Sequence, residues 1–176
     1  PERGFRDDHR HIEHRDRRLY AANVASLDDK VGRVLDCLKE QGREHDTIVL
    51  FMSDHGHSDE PGGRGGSAGV LRGGKRVLFE GGIRVPCVVS GPGFTPSAVR
   101  SQPAQMMDWM PTLAAYCGID VGGLRLDGHD LRQVISSAVA PPPHEALHWM
   151  LGPEYWAVRE GRWKLIGLKG QTFLAD

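Results

Sequence analysis

The sequence predicts an α/β protein, and three observations support this fold class. A long amphipathic helical pattern fills residues 19–41, a short apolar strand follows at Ile48–Met52, and a β-hairpin signal surrounds residues 159–162 near the end of the chain. With 176 residues, of which 39% are hydrophobic and 26% charged, the chain has the ordinary composition of a globular protein and the length of one domain. It is therefore long enough to bury a core.

Residues 1–18 are predicted to form a charged, solvated segment. Its arginines alternate with acidic residues and the whole chain has a formal net charge of -1, so nothing favours binding to nucleic acid. No apolar run reaches the roughly 20 residues of a membrane span, and no signal peptide opens the sequence. The cysteines are odd in number and far apart, so they are predicted to be small core side chains: Cys37, Cys87 and Cys117.

Residues 19–41 carry apolar side chains at steps of three or four residues, which is the spacing of one face of an α-helix. These side chains are Tyr20, Val24, Leu27, Val31, Leu35 and Leu38. Gly42 follows as the predicted C-terminal cap, because glycine readily adopts the left-handed conformation that ends many helices.

The strand at Ile48–Met52 ends directly in a turn at residues 53–57. A short run of β-favouring apolar residues is typical of an interior strand of an α/β sheet, and such sheets hold ligands beyond the carboxyl ends of their strands. A carboxylate and an imidazole at that rim predict a metal site formed by Asp54 and His55. The alternative is that Asp54 caps a turn and His55 makes a local hydrogen bond.

The region between residues 56 and 93 contains 12 of the 23 glycines and is predicted to be a long irregular loop followed by a strand at Val85–Val89. Within it, Arg72-Gly73-Gly74-Lys75-Arg76 gathers three cations around two glycines, which lets main chain and ammonium approach an oxyanion closely. A solvated basic turn is the alternative. Glu80 and Arg84 are predicted to pair and brace the next turn.

The remaining elements are predicted to be short. Asp108 is expected to cap a short helix, and residues 131–135 favour another. Three prolines at Pro141–Pro143 mark a predicted domain boundary. Beyond them, Tyr155–Val158 and Trp163–Ile166 are predicted to pair as a hairpin.

Seven segments in order along the chain resemble the motifs of one family. They are the helix around Tyr20-Ala21-Ala22 with Asp28-Asp29 and Val31-Gly32, Phe51-Met52-Ser53-Asp54-His55-Gly56, Leu71-Arg72-Gly73-Gly74-Lys75, Phe79-Glu80-Gly81-Gly82-Ile83-Arg84-Val85-Pro86, Asp108-Trp109-Met110-Pro111-Thr112-Leu113, Leu126-Asp127-Gly128, and Trp156-Ala157-Val158-Arg159-Glu160-Gly161-Arg162-Trp163-Lys164-Leu165-Ile166. The chain resembles the C-terminal half of a sulfatase of the alkaline-phosphatase-like superfamily. This resemblance implies the C-terminal part of a large α/β sandwich domain over residues 19–140, followed by the start of a small antiparallel sheet domain over residues 141–176.

The resemblance implies hydrolysis of a sulfate ester at a divalent cation, by a formylglycine made from Cys or Ser in a C/S-x-P-x-R motif. By position, Asp54 is similar to the family's metal-ligand aspartate, and Lys75 is similar to the lysine that holds the sulfate. Calcium is the metal expected for the family, whose members most often have Asn after this aspartate, whereas here His55 follows. Imidazole suits manganese or zinc better, so either His55 binds a different metal or it only forms a hydrogen bond nearby.

The nucleophile motif itself is absent from the chain. Ser101–Gln105 is the nearest match to C/S-x-P-x-R, but it ends in Gln and follows the metal motif. The resemblance therefore implies that a missing N-terminal half supplies the formylglycine and the other metal ligands, and that this chain alone is inactive. The family also implies a periplasmic, secreted or lysosomal location.

Two alternatives stay open. Asp-His at this position also occurs in related hydrolases, so the parent protein could be a phosphodiesterase or a phosphonate monoester hydrolase. The chain could instead be a short, non-catalytic relic that at most binds an anion or a partner protein. His57, Asp59 and Glu60 are interpreted as solvated turn residues, with a place at the pocket mouth as the alternative.

Overall fold

The computed structural model describes residues 3–58 and 65–175 of the chain. The chain divides into two compact units, Pro1–Pro92 and Gly93–Asp176. The predicted domain boundary at Pro141–Pro143 stays a prediction. Asp59 and Glu60, which the sequence places in a turn, lie outside the described residues.

Each unit combines helices with antiparallel strands, which confirms the α/β class. The first unit contains α1 (Arg3–Asp8), α2 (Arg15–Glu40), β1 (Val49–Met52), α3 (Glu80–Ile83) and β2 (Cys87–Ser90). The second unit contains a 3₁₀ turn (Met106–Asp108), α4 (Trp109–Tyr116), α5 (Arg132–Ser136), β3 (Ala146–Met150), β4 (Tyr155–Glu160), β5 (Trp163–Leu168) and β6 (Gln171–Ala175). In the described part of the chain, none of the helices has both the length and the apolar composition that crossing a membrane requires.

The predicted amphipathic helix is confirmed as α2, which begins at Arg15, earlier than the apolar pattern indicated. It ends as predicted, because Gly42 has a φ of +65° and the N–H of Arg43 donates to the carbonyl of Leu38 at 2.8 Å. Part of the charged segment before residue 19 is thus helical. The apolar face of α2 is largely uncovered by the described residues, since Val24 is 52% and Leu27 51% exposed.

Strands β1 and β2 pair antiparallel, with Val49 opposite Ser90 and Met52 opposite Cys87. The prediction that β1 is an interior strand is wrong for this structure, because within residues 3–58 and 65–175 its sheet has two strands and Phe51 is 44% exposed. A two-stranded ribbon has too few neighbours to bury both of its faces. The second strand begins at Cys87, slightly later than expected.

The prediction that the cysteines are core side chains is also wrong. Cys37, Cys87 and Cys117 are all exposed thiols. The first lies in α2 and the second begins β2, so both belong to elements whose apolar faces are largely uncovered. Sequence hydrophobicity predicts which side chains favour burial, but burial itself requires a covering element.

Asp108 occupies the N-cap position of α4, as predicted, but its side chain makes no capping hydrogen bond to that helix and closes the capping box of the preceding 3₁₀ turn. Its fully buried carboxylate instead accepts hydrogen bonds from the main-chain N–H of Gln105 at 2.6 Å and of His129 at 2.8 Å. The Nε2 of His144 lies 2.8 Å and 3.0 Å from the two carboxylate oxygens. We call these four residues the Asp108 cluster, and it joins three separate segments of the second unit.

The C-terminal strands form a four-stranded antiparallel sheet in the order β3-β4-β5-β6. The predicted hairpin is confirmed, with Glu160 opposite Trp163 and Gly161 in the left-handed conformation at a φ of +54°. One face of the sheet is buried through Ala157 and Ile166, each 1% exposed. The alternation of buried and exposed positions along the strands explains this one-sided core.

Candidate metal and anion site

The candidate metal ligands lie in the turn directly after β1. The Nε2 of His55 is 3.2 Å from Oδ2 of Asp54, and the two side chains are 38% and 78% exposed. The hydroxyl of Ser53 donates to the carbonyl of His55 at 2.7 Å and closes the turn. The structure therefore brings the two predicted ligands into direct contact on an accessible turn.

The hydrogen bond of the His55 ring determines which ring nitrogen can bind a cation. Nδ1 lies 2.8 Å from the carbonyl oxygen of Gly56, so Nδ1 carries a proton and donates it. In the neutral ring the free lone pair is then on Nε2, the atom that lies 3.2 Å from the Asp54 carboxylate.

These two side chains fit a divalent cation. A metal-bound histidine usually donates its other ring N–H to a carbonyl or carboxylate, as His55 does to Gly56. Within residues 3–58 and 65–175, no group of three or more His, Cys, Asp or Glu side chains is placed to hold a metal ion. A metal ion held by Asp54 and His55 would therefore need further ligands, because two side chains do not complete a coordination shell.

A second loop, residues 72–82, is joined to this turn by main-chain hydrogen bonds. The N–H of Lys75 donates to the carbonyl of His57 at 2.7 Å, and the N–H of Gly56 donates to the carbonyl of Gly82 at 2.8 Å. A Cβ on Gly56 would overlap the carbonyl oxygen of Gly81, so glycine is required for this close approach. The structure therefore places the main chain of Lys75 beside the turn that carries Asp54 and His55.

The start of α3 braces the far end of this loop. Arg84 lies 3.9 Å from the Glu80 carboxylate, which agrees with the predicted pairing, although the distance is long. The guanidinium of Arg72 lies 4.1 Å from the centre of the Phe79 ring, a cation–π contact. The sequence pattern did not predict α3, because a four-residue helix with Gly81 and Gly82 at its centre resembles a loop.

Two cavities border the turn. One of about 720 Å³ is lined by residues that include Ser53, His55 and Arg84, whereas Asp54 and Lys75 are not among its lining residues. The other, of about 590 Å³, is lined by residues of α2. Tyr20 and His57 line both cavities.

Sequence reasoning missed the place of His57. The structure has this residue half-buried, with its Nδ1 atom inaccessible to solvent, so its interpretation as a solvated turn residue is wrong. The available signal was the set of glycines around it, because glycines close to a candidate site often mark tight main-chain contacts.

Comparison with known proteins identifies relatives of the whole arrangement. The Sulfatase family model matches residues 1–119. The chain is 42% identical to the steryl-sulfatase of Mus musculus over 147 residues. The aligned region covers 80% of this chain and 24% of that protein. The crystal structure of Ps i-CgsB in complex with k-i-k-neocarrahexaose aligns with a TM-score of 0.87 and 27% identity over 98% of this chain and 39% of that chain.

A third comparison concerns the fold alone. The phosphonate monoester hydrolase SpPMH from Silicibacter pomeroyi aligns with a TM-score of 0.69 and 20% identity, covering 90% of this chain and 33% of that chain. The chain thus spans well under half the length of each of these three proteins. Its share is 24% of the steryl-sulfatase, 39% of Ps i-CgsB and 33% of the phosphonate monoester hydrolase. The family match nevertheless extends over more than half of the present residues and includes both the turn that carries Asp54 and His55 and the loop of residues 72–82, which we call the lysine loop, so the chain belongs to the sulfatase family.

Proposed function

We propose that the protein containing this chain hydrolyses a sulfate ester, and that the chain contributes two metal ligands and a sulfate-binding lysine. The observation that supports this most directly is the 2.7 Å hydrogen bond from the N–H of Lys75 to the carbonyl of His57. It holds the lysine loop against the turn that carries Asp54 and His55. Family membership supplies the reaction type.

The proposed chemistry assigns a separate task to each residue. Asp54 and His55 would hold a divalent cation, which supplies a Lewis acid for the sulfate oxygens. The Lys75 ammonium would pair with the anionic sulfate and stabilise the charge that moves toward the leaving oxygen as the ester bond breaks. The neighbouring Arg72 and Arg76 add positive potential, which attracts an anionic substrate to the loop.

The nucleophile is proposed to be a formylglycine supplied by the rest of the protein, together with the remaining metal ligands. The test compares the full-length protein with the 176-residue chain on 4-nitrophenyl sulfate. We expect turnover by the full-length protein alone, because one carboxylate and one imidazole do not complete a metal shell. Turnover by the short chain at a comparable rate would contradict the proposal.

Lys75→Ala in the full-length protein tests the sulfate-binding role. We expect kcat/KM to fall by about 100-fold or more, since a charge aimed at the developing oxyanion is lost. Lys39→Ala is the matched control, because Lys39 is an exposed lysine in the last turn of α2. Equal activity of the two variants would show that Lys75 does not hold the sulfate.

Calcium, the family's metal, is the first candidate for the site, and manganese and zinc are the alternatives that His55 favours. Elemental analysis of the purified full-length protein distinguishes them. Asp54→Ala should lower the bound metal substantially, whereas His55→Asn should shift preference toward calcium, because an amide oxygen replaces the imidazole. Unchanged metal content in both variants would contradict the assignment.

A phosphonate monoester hydrolase is the second candidate function, and His55 beside Asp54 is the observation that favours it. The solved hydrolase of that type shares the fold. Rates for an aryl sulfate, a phosphate diester and a phosphonate monoester on the full-length protein decide between the candidates. The preferred substrate is the one with the highest kcat/KM.

A further inference from the structure

The cavity of about 720 Å³ beside the candidate metal turn has the size of a site for a small organic molecule. Pockets that bind such molecules measure about 300–1,000 Å³. His55 lines the cavity, whereas Asp54 and Lys75 do not. A sulfate group held by Lys75 and the metal would therefore lie at its edge, and the cavity would be left for the rest of the ester.

Arg84 supplies the positive charge of this cavity. Among the described residues that line it, Arg84 is the one side chain with a permanent charge, and none is an aspartate or a glutamate. Ser67 and Tyr20 add hydroxyl groups to the lining. A single cation within a lining that has no carboxylate favours an anionic ligand.

The contacts of Arg84 leave its guanidinium able to bind a ligand. Its Nη1 atom lies 3.9 Å from a carboxylate oxygen of Glu80, and the Arg84 side chain is 62% exposed. A charge-assisted hydrogen bond measures roughly 2.7–2.9 Å, so this ion pair is a loose one. A guanidinium carries several N–H donors in a planar fork, which fits a carboxylate or a sulfate through two parallel hydrogen bonds. Glu80 therefore limits where Arg84 can lie without taking up all of its donors.

Arg84 and Lys75 approach the candidate metal turn from two different segments. The N–H of Ser53 donates to the carbonyl of Pro86 at 3.4 Å, and Arg84 lies just before Val85 and Pro86 in the sequence. On the other segment, the N–H of Lys75 donates to the main chain of the turn at 2.7 Å. Main-chain hydrogen bonds thus join the turn to two segments, each of which carries a cationic residue.

We propose that Arg84 is a specificity-determining residue and that the substrate carries a second anionic group, a carboxylate or a further sulfate, which Arg84 binds in the cavity. This inference rests on the proposed function of Lys75 as the sulfate ligand. The cavity receives the part of the ester that carries the second anion, while the reacting sulfate stays at the Asp54–His55 turn. Arg84 binds the substrate and takes no part in breaking the ester bond.

The kinetic test uses the full-length protein and three esters: 4-nitrophenyl sulfate and its derivatives with a carboxylate or a sulfonate on the ring. The sulfonate stands for a second sulfate that cannot be hydrolysed. Arg84→Gln keeps a polar side chain but removes the charge. We expect it to lower kcat/KM by about 10- to 100-fold for a doubly anionic ester, because a charged bidentate contact is lost, and by less than about twofold for 4-nitrophenyl sulfate. A loss for one derivative alone identifies which anion Arg84 binds.

Arg43→Gln is the matched control, because Arg43 is also an exposed arginine beside a carboxylate. Its side chain is 64% exposed and lies 3.2 Å from Asp46, and its replacement should leave all three kcat/KM values unchanged. Partial unfolding lowers kcat/KM for the three esters by the same factor, so the ratio between esters separates lost specificity from lost folded protein. An equal loss for all three esters in Arg84→Gln, or no loss for either doubly anionic ester, would overturn the proposal.

A binding measurement separates this inference from the proposed function. Calorimetry on the full-length protein compares benzenesulfonate with meta-benzenedisulfonate, neither of which contains an ester bond. We expect the wild type to bind the disulfonate about tenfold more tightly or better, and Arg84→Gln to bind the two about equally. Equal binding by the wild type would refute the role of Arg84, whatever the protein hydrolyses. A wild type that hydrolyses none of the three esters would refute the sulfatase proposal and leave the binding result to decide the role of Arg84.

Discussion

Asparagine in place of Asp108 exchanges one carboxylate oxygen for an NH₂ group at a fully buried position. The wild-type carboxylate accepts from the N–H of Gln105 at 2.6 Å, from the N–H of His129 at 2.8 Å, and from Nε2 of His144 at 2.8 Å and 3.0 Å. Every neighbour is a donor, so the new NH₂ group must face at least one N–H, whichever way the amide is turned.

The expected cost follows from these contacts. One hydrogen bond to a charged acceptor is lost, worth about 1.5–3 kcal/mol, and one buried donor is left without an acceptor, worth about 1–3 kcal/mol. We therefore expect the free energy of unfolding of the second unit to fall by about 3–5 kcal/mol, the usual range when one member of a buried charged network is changed.

Urea unfolding followed by tryptophan fluorescence measures this change. All four tryptophans lie in the second unit, and Trp109 directly follows Asp108. With a slope of about 1–3 kcal/mol per molar urea, the midpoint should fall by at least about 1 M. The control is Asp127→Asn, an exposed residue of the same unit, for which we expect less than about 0.5 kcal/mol. Equal midpoints for the two variants would refute the reasoning.

Two further predictions concern a glycine contact and a tyrosine. Gly56→Ala should lower the free energy of unfolding by about 1–3 kcal/mol, because its Cβ would overlap the Gly81 carbonyl. By contrast, Gly32→Ala in α2, which meets nothing within 4 Å, should raise it by about 0.5–1 kcal/mol; thermal melts at 222 nm compare the two. Burial and the nearby Asp130 carboxylate raise the pKa of Tyr116, so Asp130→Asn should lower it, as an ultraviolet titration would show; an unchanged titration would contradict this. Because the unfolded chain releases that phenol proton first, the contribution of Tyr116 to stability declines as pH rises through about 10.

Local patterns in the sequence predicted most of the elements. The three- and four-residue spacing predicted α2, and the glycine between two apolar runs predicted the β4–β5 hairpin, because each of these structures is determined within a few residues. Helix α3 was missed, since its sequence Glu80-Gly81-Gly82-Ile83 has low intrinsic helix propensity and is held by its surroundings.

Burial and long-range contacts were harder to predict. The exposure of Phe51 and of the cysteines depends on which elements cover a face, and the strand sequence does not carry that information. The partners of Asp108 at His129 and His144 are 21 and 36 residues away along the chain, so a local cap was the only role that the sequence indicated.

The candidate site also combines residues that the sequence could predict with a contact that it could not. Asp54 and His55 follow a strand end, which a residue pattern can mark, and Lys75 was identified through the family resemblance. The contact that brings Lys75 to the turn could not be predicted, because it is a hydrogen bond between main-chain atoms, which are the same in every residue. The clustered glycines were the only trace of it in the sequence.

The contact between the Asp54–His55 turn and the lysine loop has a consequence for how sulfatase-family proteins diversify. Main-chain groups form it, and Gly56, Gly74 and Gly81 leave no space for side chains at the contact. Cavity-lining positions such as Ser67 and Leu71 contribute their side chains to the cavity's shape instead. If the cavity receives the ester as proposed, exchanges at those positions would change which ester fits while the main-chain contact keeps its geometry, so single substitutions could change substrate preference.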